Sequence, residues 1–420
     1  MANAVTQSIL VVGGGMSGLS AAIEAAEAGR EVYLVEKNPY LGGRVAQLHQ
    51  YFPKMCPPYC GLEINFRRIK NNPKFRFYTM AEVESISGEE GNWDVSIKIN
   101  PRYVNEKCTA CNKCAEACTM EIDNPFNYGM DKSKAAYLPH DMAFPMRYVL
   151  DPALVQSDEA QKVKEACPYD AIELDMQPQT TDLKVASIIW ATGWKPYDAT
   201  KLDTLGFGKY ANVITNVMME RLAAYNGPTQ GKILRPSDGK APQNIAFVQC
   251  AGSRDENHLP FCSSICCLAS MKQSTYVREQ LPDAKVHIFF IDIRATDRLE
   301  DLYRKAKKDE NITFFKGKVA KIEEDSATNN LILRVEDTTT GSLHEINMDL
   351  VVLATGMQPN TSEDAIPTAV SYDEYGFVSA LGAKPGLYAA GCTRTPVGVY
   401  ETVADGTAAA LKAIQSIARR

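Results

Sequence analysis

Ser8-Ile-Leu-Val-Val12-Gly13-Gly-Gly15-Met-Ser-Gly18-Leu-Ser-Ala-Ala-Ile-Glu-Ala-Ala-Glu-Ala28 passes from a buried-strand run through glycines into an alanine-rich helical stretch. A second apolar run, Glu31–Val35, ends at Glu36. This is G-x-G-x-x-G between strand and helix, with an acid 18 residues past the last glycine, which is the fingerprint of a dinucleotide-binding βαβ unit. Glycines let the backbone approach a pyrophosphate, whose charge is favoured at the helix N-terminus. Gly13, Gly15, Met16, Ser17 and Gly18 are therefore the expected cradle, with Glu36 on the adenosine ribose and Lys37 beside it.

The segments that follow select FAD over NAD. Leu41-Gly-Gly43-Arg44 after the acid is a pattern of two-dinucleotide flavoproteins. So are the paired segments Ala191-Thr192-Gly193-Trp-Lys-Pro and Ala354-Thr-Gly356-Met-Gln-Pro. They close the apolar runs Ala186–Trp190 and Leu350–Leu353, where such chains cross between domains. Gly386-Leu-Tyr-Ala-Ala-Gly391-Cys392, followed by a helix from Glu401, resembles the second FAD motif of that superfamily. An aspartate follows the last glycine there. Cys392 stands in its place, leaving a backbone amide to make the ribityl contact. The sequence predicts an α/β, two-dinucleotide-binding-domain flavoprotein, thioredoxin/glutathione reductase-like, with a ferredoxin-like insertion. The FAD domain is expected at 1–100, 176–235 and 346–420, the insertion at 101–175, and a second Rossmann-like domain at 236–345.

The bulk composition is that of an ordinary globular protein: 420 residues, 45% hydrophobic, 23% charged. A net charge of −6 gives no footprint for nucleic acid. No run reaches the length of a membrane span, and Ile9–Ala26 reads as strand–turn–helix rather than a signal peptide. A cytoplasmic chain is expected, meeting a membrane only through partner subunits. Of the 12 cysteines, all but Cys392 cluster at 56/60, at 108–118 with 167, and at 250–267. Without a signal peptide such grouping points to metal clusters or redox chemistry rather than a disulfide framework.

Cys108-Thr-Ala-Cys111-Asn-Lys-Cys114-Ala-Glu-Ala-Cys118 has the C-x2-C-x2-C-x3-C spacing of bacterial ferredoxins, in which the fourth cysteine ligates the other cluster. Cys167-Pro-Tyr-Asp-Ala-Ile172 looks like the tail of a second run. Counting back from it meets Val163, Ala160 and Ser157, none a ligand. One [4Fe–4S] cluster on Cys108, Cys111, Cys114 and Cys167 is expected, with Cys118 a packed thiol. Zinc or idle thiols are the alternatives. Glu121–Asp151 between the half-motifs reads either as a loop docking on a partner protein or as a simple cover.

The strand-like run Ile245–Gln249 should open the second dinucleotide site. Only Gly252 remains of the expected glycines, and Cys250, Cys262, Cys266 and Cys267 occupy the junction with a helix expected from Ser263 or Ser264. Four thiolates are the number for a second [4Fe–4S] cluster, an anion held, like a pyrophosphate, at a helix N-terminus. Zinc and redox-active thiols are the other readings. Lys272, on the same helix, is either a solvated lysine or a stabiliser of anionic reduced flavin.

The combination resembles the flavin subunit of heterodisulfide reductases, the HdrA family, through Gln249-Cys-Ala-Gly-Ser-Arg-Asp255, Phe261-Cys-Ser-Ser-Ile-Cys-Cys267 and Lys272. The resemblance implies that Cys250, Cys262, Cys266 and Cys267 ligate a cluster near FAD and that Lys272 contacts the isoalloxazine. Tyr51-Phe-Pro-Lys-Met-Cys-Pro-Pro-Tyr-Cys-Gly-Leu-Glu-Ile-Asn-Phe66, Ala191–Thr200 and Leu234–Lys240 resemble the branch found in quinone-interacting membrane-bound oxidoreductase (Qmo) complexes of sulfate reduction. That implies electron exchange with sister Qmo subunits (a second HdrA-like flavoprotein and a membrane quinone/haem subunit) and with adenylylsulfate reductase. The competing expectations are an HdrA-like subunit of a heterodisulfide reductase-type complex and an NAD(P)H-dependent disulfide or sulfur oxidoreductase working through Cys56 and Cys60.

Overall fold

The computed structural model describes residues 7–379 and 384–419. A parallel sheet forms around the fingerprint strand Ile9–Val12, in the order Leu387–Ala389, Ser187–Trp190, Ile9–Val12, Val32–Glu36, Phe75–Thr79. Both faces of the strand are covered, so the run is apolar throughout rather than alternating. Ile9 and Val11 enter a core with the helices Met16–Glu27 and Val399–Ala418. Leu10 and Val12 face Trp93 and Ile97 of an antiparallel three-stranded sheet, Ala81–Glu89, Asn92–Ile99 and Gln179–Val185.

The second unit is a seven-stranded sheet. Its order is Val213–Thr215, Leu350–Thr355, Asn244–Ala251, Lys285–Phe290, Ile312–Asp325, Asn330–Asp337, Leu343–Met348. The first five strands pair in parallel and the last three form an antiparallel meander. Two segments expected in the FAD domain, 213–215 and 350–355, are thus strands of the second sheet. Leu350–Ala354 are fully buried, and an apolar run buried on both faces reads the same in either sheet. The two Ala-Thr-Gly segments meet where Trp194–Pro196 pairs antiparallel with Met357–Pro359, a ribbon between the units.

The insertion has a small core of its own, including Val104, Leu150, Leu154, Val163 and Ile172. Its 126–128 stretch covers the flavin unit: Gln47 Nε2 donates to Phe126 O at 3.1 Å, and Tyr128 Oη donates to Gln47 Oε1 at 3.1 Å. The helix expected from Ser263 or Ser264 starts at Cys266 and runs to Gln280. Ser264 has a left-handed φ of 63°, and Ser263 Oγ instead accepts from Met357 N at 2.8 Å.

Candidate functional site

The fingerprint glycines divide their work. A Cβ on Gly13, at φ 107°, would run into the Ala191 carbonyl, and one on Gly18 into Gly13 O. Those two glycines permit the strand crossing and the close seating of the helix. Gly15 has no atom within 4 Å of where its Cβ would stand. It opens onto free space at the start of Met16–Glu27, which is the approach a pyrophosphate needs. Gly43, at φ 56°, faces Gly15 Cα from the neighbouring loop. Glu36 is 6% exposed; its carboxylate accepts from Gly14 N at 2.6 Å and from Asn38 N at 2.8 Å. Burial pushes its carboxyl upward against those hydrogen bonds.

The other expected flavin residues are placed unevenly. Gly193, at φ 71°, is also open, and its N–H donates to Thr393 Oγ1 at 3.0 Å. The buried Thr192 hydroxyl has no partner among the described residues. Ser17 is buried, and its Oγ lies against Gly391, while Met16 packs on the core beneath. Lys37 instead turns its ammonium to the surface, 3.2 Å from Asp364. Arg44 bridges the units by donating from Nε to Trp194 O at 2.5 Å, stacked over the Trp194 ring. Cys392 points its thiol at Val397 O (3.5 Å), and burial pushes that thiol up. The amide of Gly391, a backbone candidate for the contact that Cys392 cannot make, is held by Asp405 Oδ2 at 2.7 Å. Asp405 also pairs with Arg394. Sequence reading missed this acid, whose one signal is a lone Asp-Gly step in an alanine-rich helix. Open space at Gly15 and Gly193 and an unpartnered Thr192 hydroxyl fit a bound FAD.

In the insertion, Cys108, Cys111, Cys114 and Cys167 line one small cavity with Tyr148 and Tyr169. Cys118 does not; its thiol is 2% exposed in the insertion's core, 3.5 Å from Met120 O. Burial raises Cys114 to about 12, with Cys108 and Cys167 adding to the shift. At the second sheet, Cys250 sits at φ 57° beside a strand bulge, and Cys266 and Cys267 begin the helix. Burial and then the neighbouring thiols push Cys250 up to about 11 and hold Cys266 well above the usual thiol range. Thiols that hinder each other's ionisation in this way fit a cationic iron core, which reverses that logic. Among the described residues no three His, Cys, Asp or Glu are drawn around a single metal-ion position. A cubane spreads its thiolates over four iron corners, so its ligands stand farther apart than those of one ion.

Gly252, the remaining glycine of the second junction, lies beneath the Tyr197 ring, which fills the space its Cβ would need. The contrast with open Gly15 separates a phosphate cradle from a packed turn. Lys272 is buried: its Nζ lies 2.9 Å from Glu220 Oε1 and donates to Gln50 O at 2.6 Å. Glu220 also accepts from Gln273 Nε2 (2.6 Å), His49 N (3.1 Å) and Tyr276 Oη (3.3 Å). Cys56 and Cys60 are free thiols, the first half-buried and the second exposed on the helix Pro58–Lys70.

The fold and the glycine cradle define a two-dinucleotide-binding flavoprotein. The FAD dependent oxidoreductase family matches residues 8–59, and thioredoxin reductases share the architecture. The Lactococcus lactis enzyme superposes with a TM-score of 0.55 at 14% identity, over 99% of this chain and 100% of that one. The T. acidophilum enzyme gives 0.54 at 17%, over 97% and 98%. Among sequences, the second A-type iron-sulfur subunit of the CoB--CoM heterodisulfide reductase of Methanopyrus kandleri is 40% identical over 427 residues, 99% of this chain and 65% of that one. The A-type component of the H(2)/formate:CoB-CoM heterodisulfide,ferredoxin reductase of Methanococcus maripaludis is 37% identical, over 97% and 63%. The chain is similar to these A-type subunits of heterodisulfide reductases and spans a little under two-thirds of their length.

Proposed function

We propose that this chain is a flavin and iron–sulfur electron-transfer subunit, and in its finer form the flavoprotein of a Qmo-type complex that corresponds to HdrA. It would pass electrons between quinone-linked sister subunits and adenylylsulfate reductase. The observation that carries the electron-transfer reading is the pair Gly15 and Gly252. The first junction is open for a dinucleotide, while the second is closed by Tyr197 and carries four thiols. FAD supplies two-electron chemistry and iron–sulfur clusters one-electron chemistry, so a chain holding both converts between them. Gly15 and Gly43 would border the pyrophosphate, Gly13 and Gly18 would let the strand and helix close up beneath it, and Glu36 would reach the adenosine ribose. Cys108, Cys111, Cys114 and Cys167 would hold one [4Fe–4S] cluster, and Cys250, Cys262, Cys266 and Cys267 the other. Lys272 would place a buried positive charge toward the flavin.

The Qmo form is supported by Tyr51–Phe66, Ala191–Thr200 and Leu234–Lys240. The names of the relatives favour a second reading, an HdrA-like subunit of a heterodisulfide reductase-type complex. Among the described residues no helix is long and apolar enough to cross a membrane, so membrane association in the Qmo form would come through partners. The third expectation, NAD(P)H oxidation with Cys56 and Cys60 as the redox pair, has the covered Gly252 against it. The test is anaerobic mixing of the FAD-loaded chain with NADH. The expected result is no bleaching of the flavin band, and rapid bleaching would overturn the proposal. Reduced chain should then pass electrons to adenylylsulfate reductase in the Qmo form, or to heterodisulfide-reducing subunits in the other.

A further inference from the structure

Gln249 lies near the end of the strand Asn244–Ala251, one residue before Cys250. It is 6% exposed, yet neither its Nε2 nor its Oε1 has a hydrogen-bond partner among the described residues. Native proteins rarely leave a primary amide buried in that state, so the group calls for a partner the chain alone does not supply.

The strand's alternation gives the direction in which the amide looks. Ile245 and Phe247 belong to the core shared with Cys267, Leu268 and Met271, whereas Ala246, Val248 and Ala251 belong to the opposite core. The bulge between Val248 and Ala251 takes up the extra residue at Cys250. Gln249 therefore lies on the face covered by the helix Cys266–Gln280. On that helix Ser270 is fully buried, and its hydroxyl also has no partner among the described residues. Ser270 stands one turn past Cys266 and Cys267, and helical side chains lean toward the N-terminus. Its hydroxyl is thus directed at the turn that carries both thiols. Two unpartnered donors, one from the strand and one from the helix, border the same group of cysteines.

We infer that Gln249 Nε2 and Ser270 Oγ donate hydrogen bonds to the sulfurs of an iron–sulfur cluster held by Cys250, Cys262, Cys266 and Cys267, and so raise its reduction potential. The inference rests on the proposed cluster at those four cysteines. Adding an electron makes a four-thiolate cluster more negative, so a donor at its sulfurs favours the reduced state. Arg254, beside Cys250 and paired with Asp292 at 2.6 Å, brings positive charge to one edge. The amide and the hydroxyl act on the buried side, where Cys266 lies. Both residues position and tune; neither reacts.

The test uses the anaerobically purified, FAD- and iron-loaded chain, with iron quantitation and EPR redox titration of Gln249→Leu, Ser270→Ala and Ser270→Thr. Iron should stay at the wild-type level in all three. In Gln249→Leu and Ser270→Ala one cluster signal should become harder to reduce, by about tenfold in the oxidised-to-reduced ratio at fixed poise, or about 59 mV for one electron. The other signal should not move, and Ser270→Thr, which keeps the hydroxyl, should titrate as wild type. If Gln249→Leu does not fold, Ser270→Ala decides alone. Full iron with both signals at wild-type potentials would overturn the inference, as would an equal shift of both signals. Cys267→Ala separates the two levels of the argument. If that variant keeps all its iron, the cluster reading fails and takes the inference with it.

Discussion

Lys272 Nζ and Glu220 Oε1 lie 2.9 Å apart with each side chain 3% exposed, an ion pair sealed between the helices Asn216–Ala223 and Cys266–Gln280. The pair also gathers Gln50 O and His49 N from the loop that follows Arg44. One contact thereby joins the helix carrying two of the thiols to the strap beside the flavin cradle. Removing one partner of a buried pair strands the other charge, at a cost of about 3–5 kcal/mol. Lys272→Met and Glu220→Gln should each lower the chemical-denaturation midpoint of the loaded chain markedly. The double variant Lys272→Met/Glu220→Gln should lose less than the sum. Additive losses in that cycle would mean the two groups do not act as a pair.

The fingerprint glycines should separate binding from folding. Gly15 has φ −76°, which alanine adopts freely, and empty space at its Cβ position. Gly15→Ala should leave thermal stability intact while weakening FAD retention about tenfold or more, because the methyl occupies the ligand's approach. Gly18→Ala should do the reverse and destabilise the fold by about 1–3 kcal/mol, since its methyl meets Gly13 O. Flavin absorbance per chain and thermal midpoints read both effects. Equal flavin loss in the two variants would contradict this division.

How far the sequence carried depended on whether a residue's demand was local. Gly13 and Gly18 announce themselves because only glycine tolerates those contacts, and the ferredoxin spacing sets Cys108, Cys111 and Cys114 in one short segment. Leu350–Thr355 was misassigned because burial on both faces erases the pattern that would tell one parallel sheet from another. The partner of Lys272 was illegible for a different reason. Glu220 lies 52 positions away, on a helix whose sequence reads as an ordinary half-exposed one. Asp405 was missed because its task, holding Gly391 N, is a main-chain contact that no side-chain pattern records. The insertion's cover over Gln47 likewise depends on backbone carbonyls and tertiary stacking rather than on any motif.

His140 should make that cover acid-sensitive. Its ring stacks on Phe126 at 4.6 Å and meets Tyr40 edge-on at 4.9 Å. Burial holds it neutral, from an ordinary 6.5 down to about 4; nearby Arg221 adds to the shift and Asp141 opposes it. The unfolded chain therefore takes up a proton on this residue below 6.5 while the folded chain does not until about 4. Its contribution to stability is complete above the unfolded value and is lost as pH falls through that window, by about 3 kcal/mol in total. His140→Phe should keep the stacking and flatten this part of the stability profile. Denaturant midpoints taken between about pH 7 and 4 decide it, and an unchanged slope in the variant would remove His140 from the account.

Iron content tests the ligand sets most directly. Two four-thiolate sites predict about eight Fe per chain. The insertion's cavity is lined by Cys167, which lies far along the chain from Cys108, Cys111 and Cys114, whereas the neighbouring Cys118 turns into the core. Cys167→Ala should therefore lose about four Fe and Cys118→Ala none, as expected for a run whose fourth cysteine does not close its own cluster. Cys267→Ala should lose the other four and leave the insertion's EPR signal in place. Cys118→Ser adds a check on folding, since a hydroxyl in that apolar core should lower the thermal midpoint without touching the iron. A Cys118→Ala protein with half its iron would show instead that the local run is closed by its own fourth cysteine, and Cys167 would revert to a packing role.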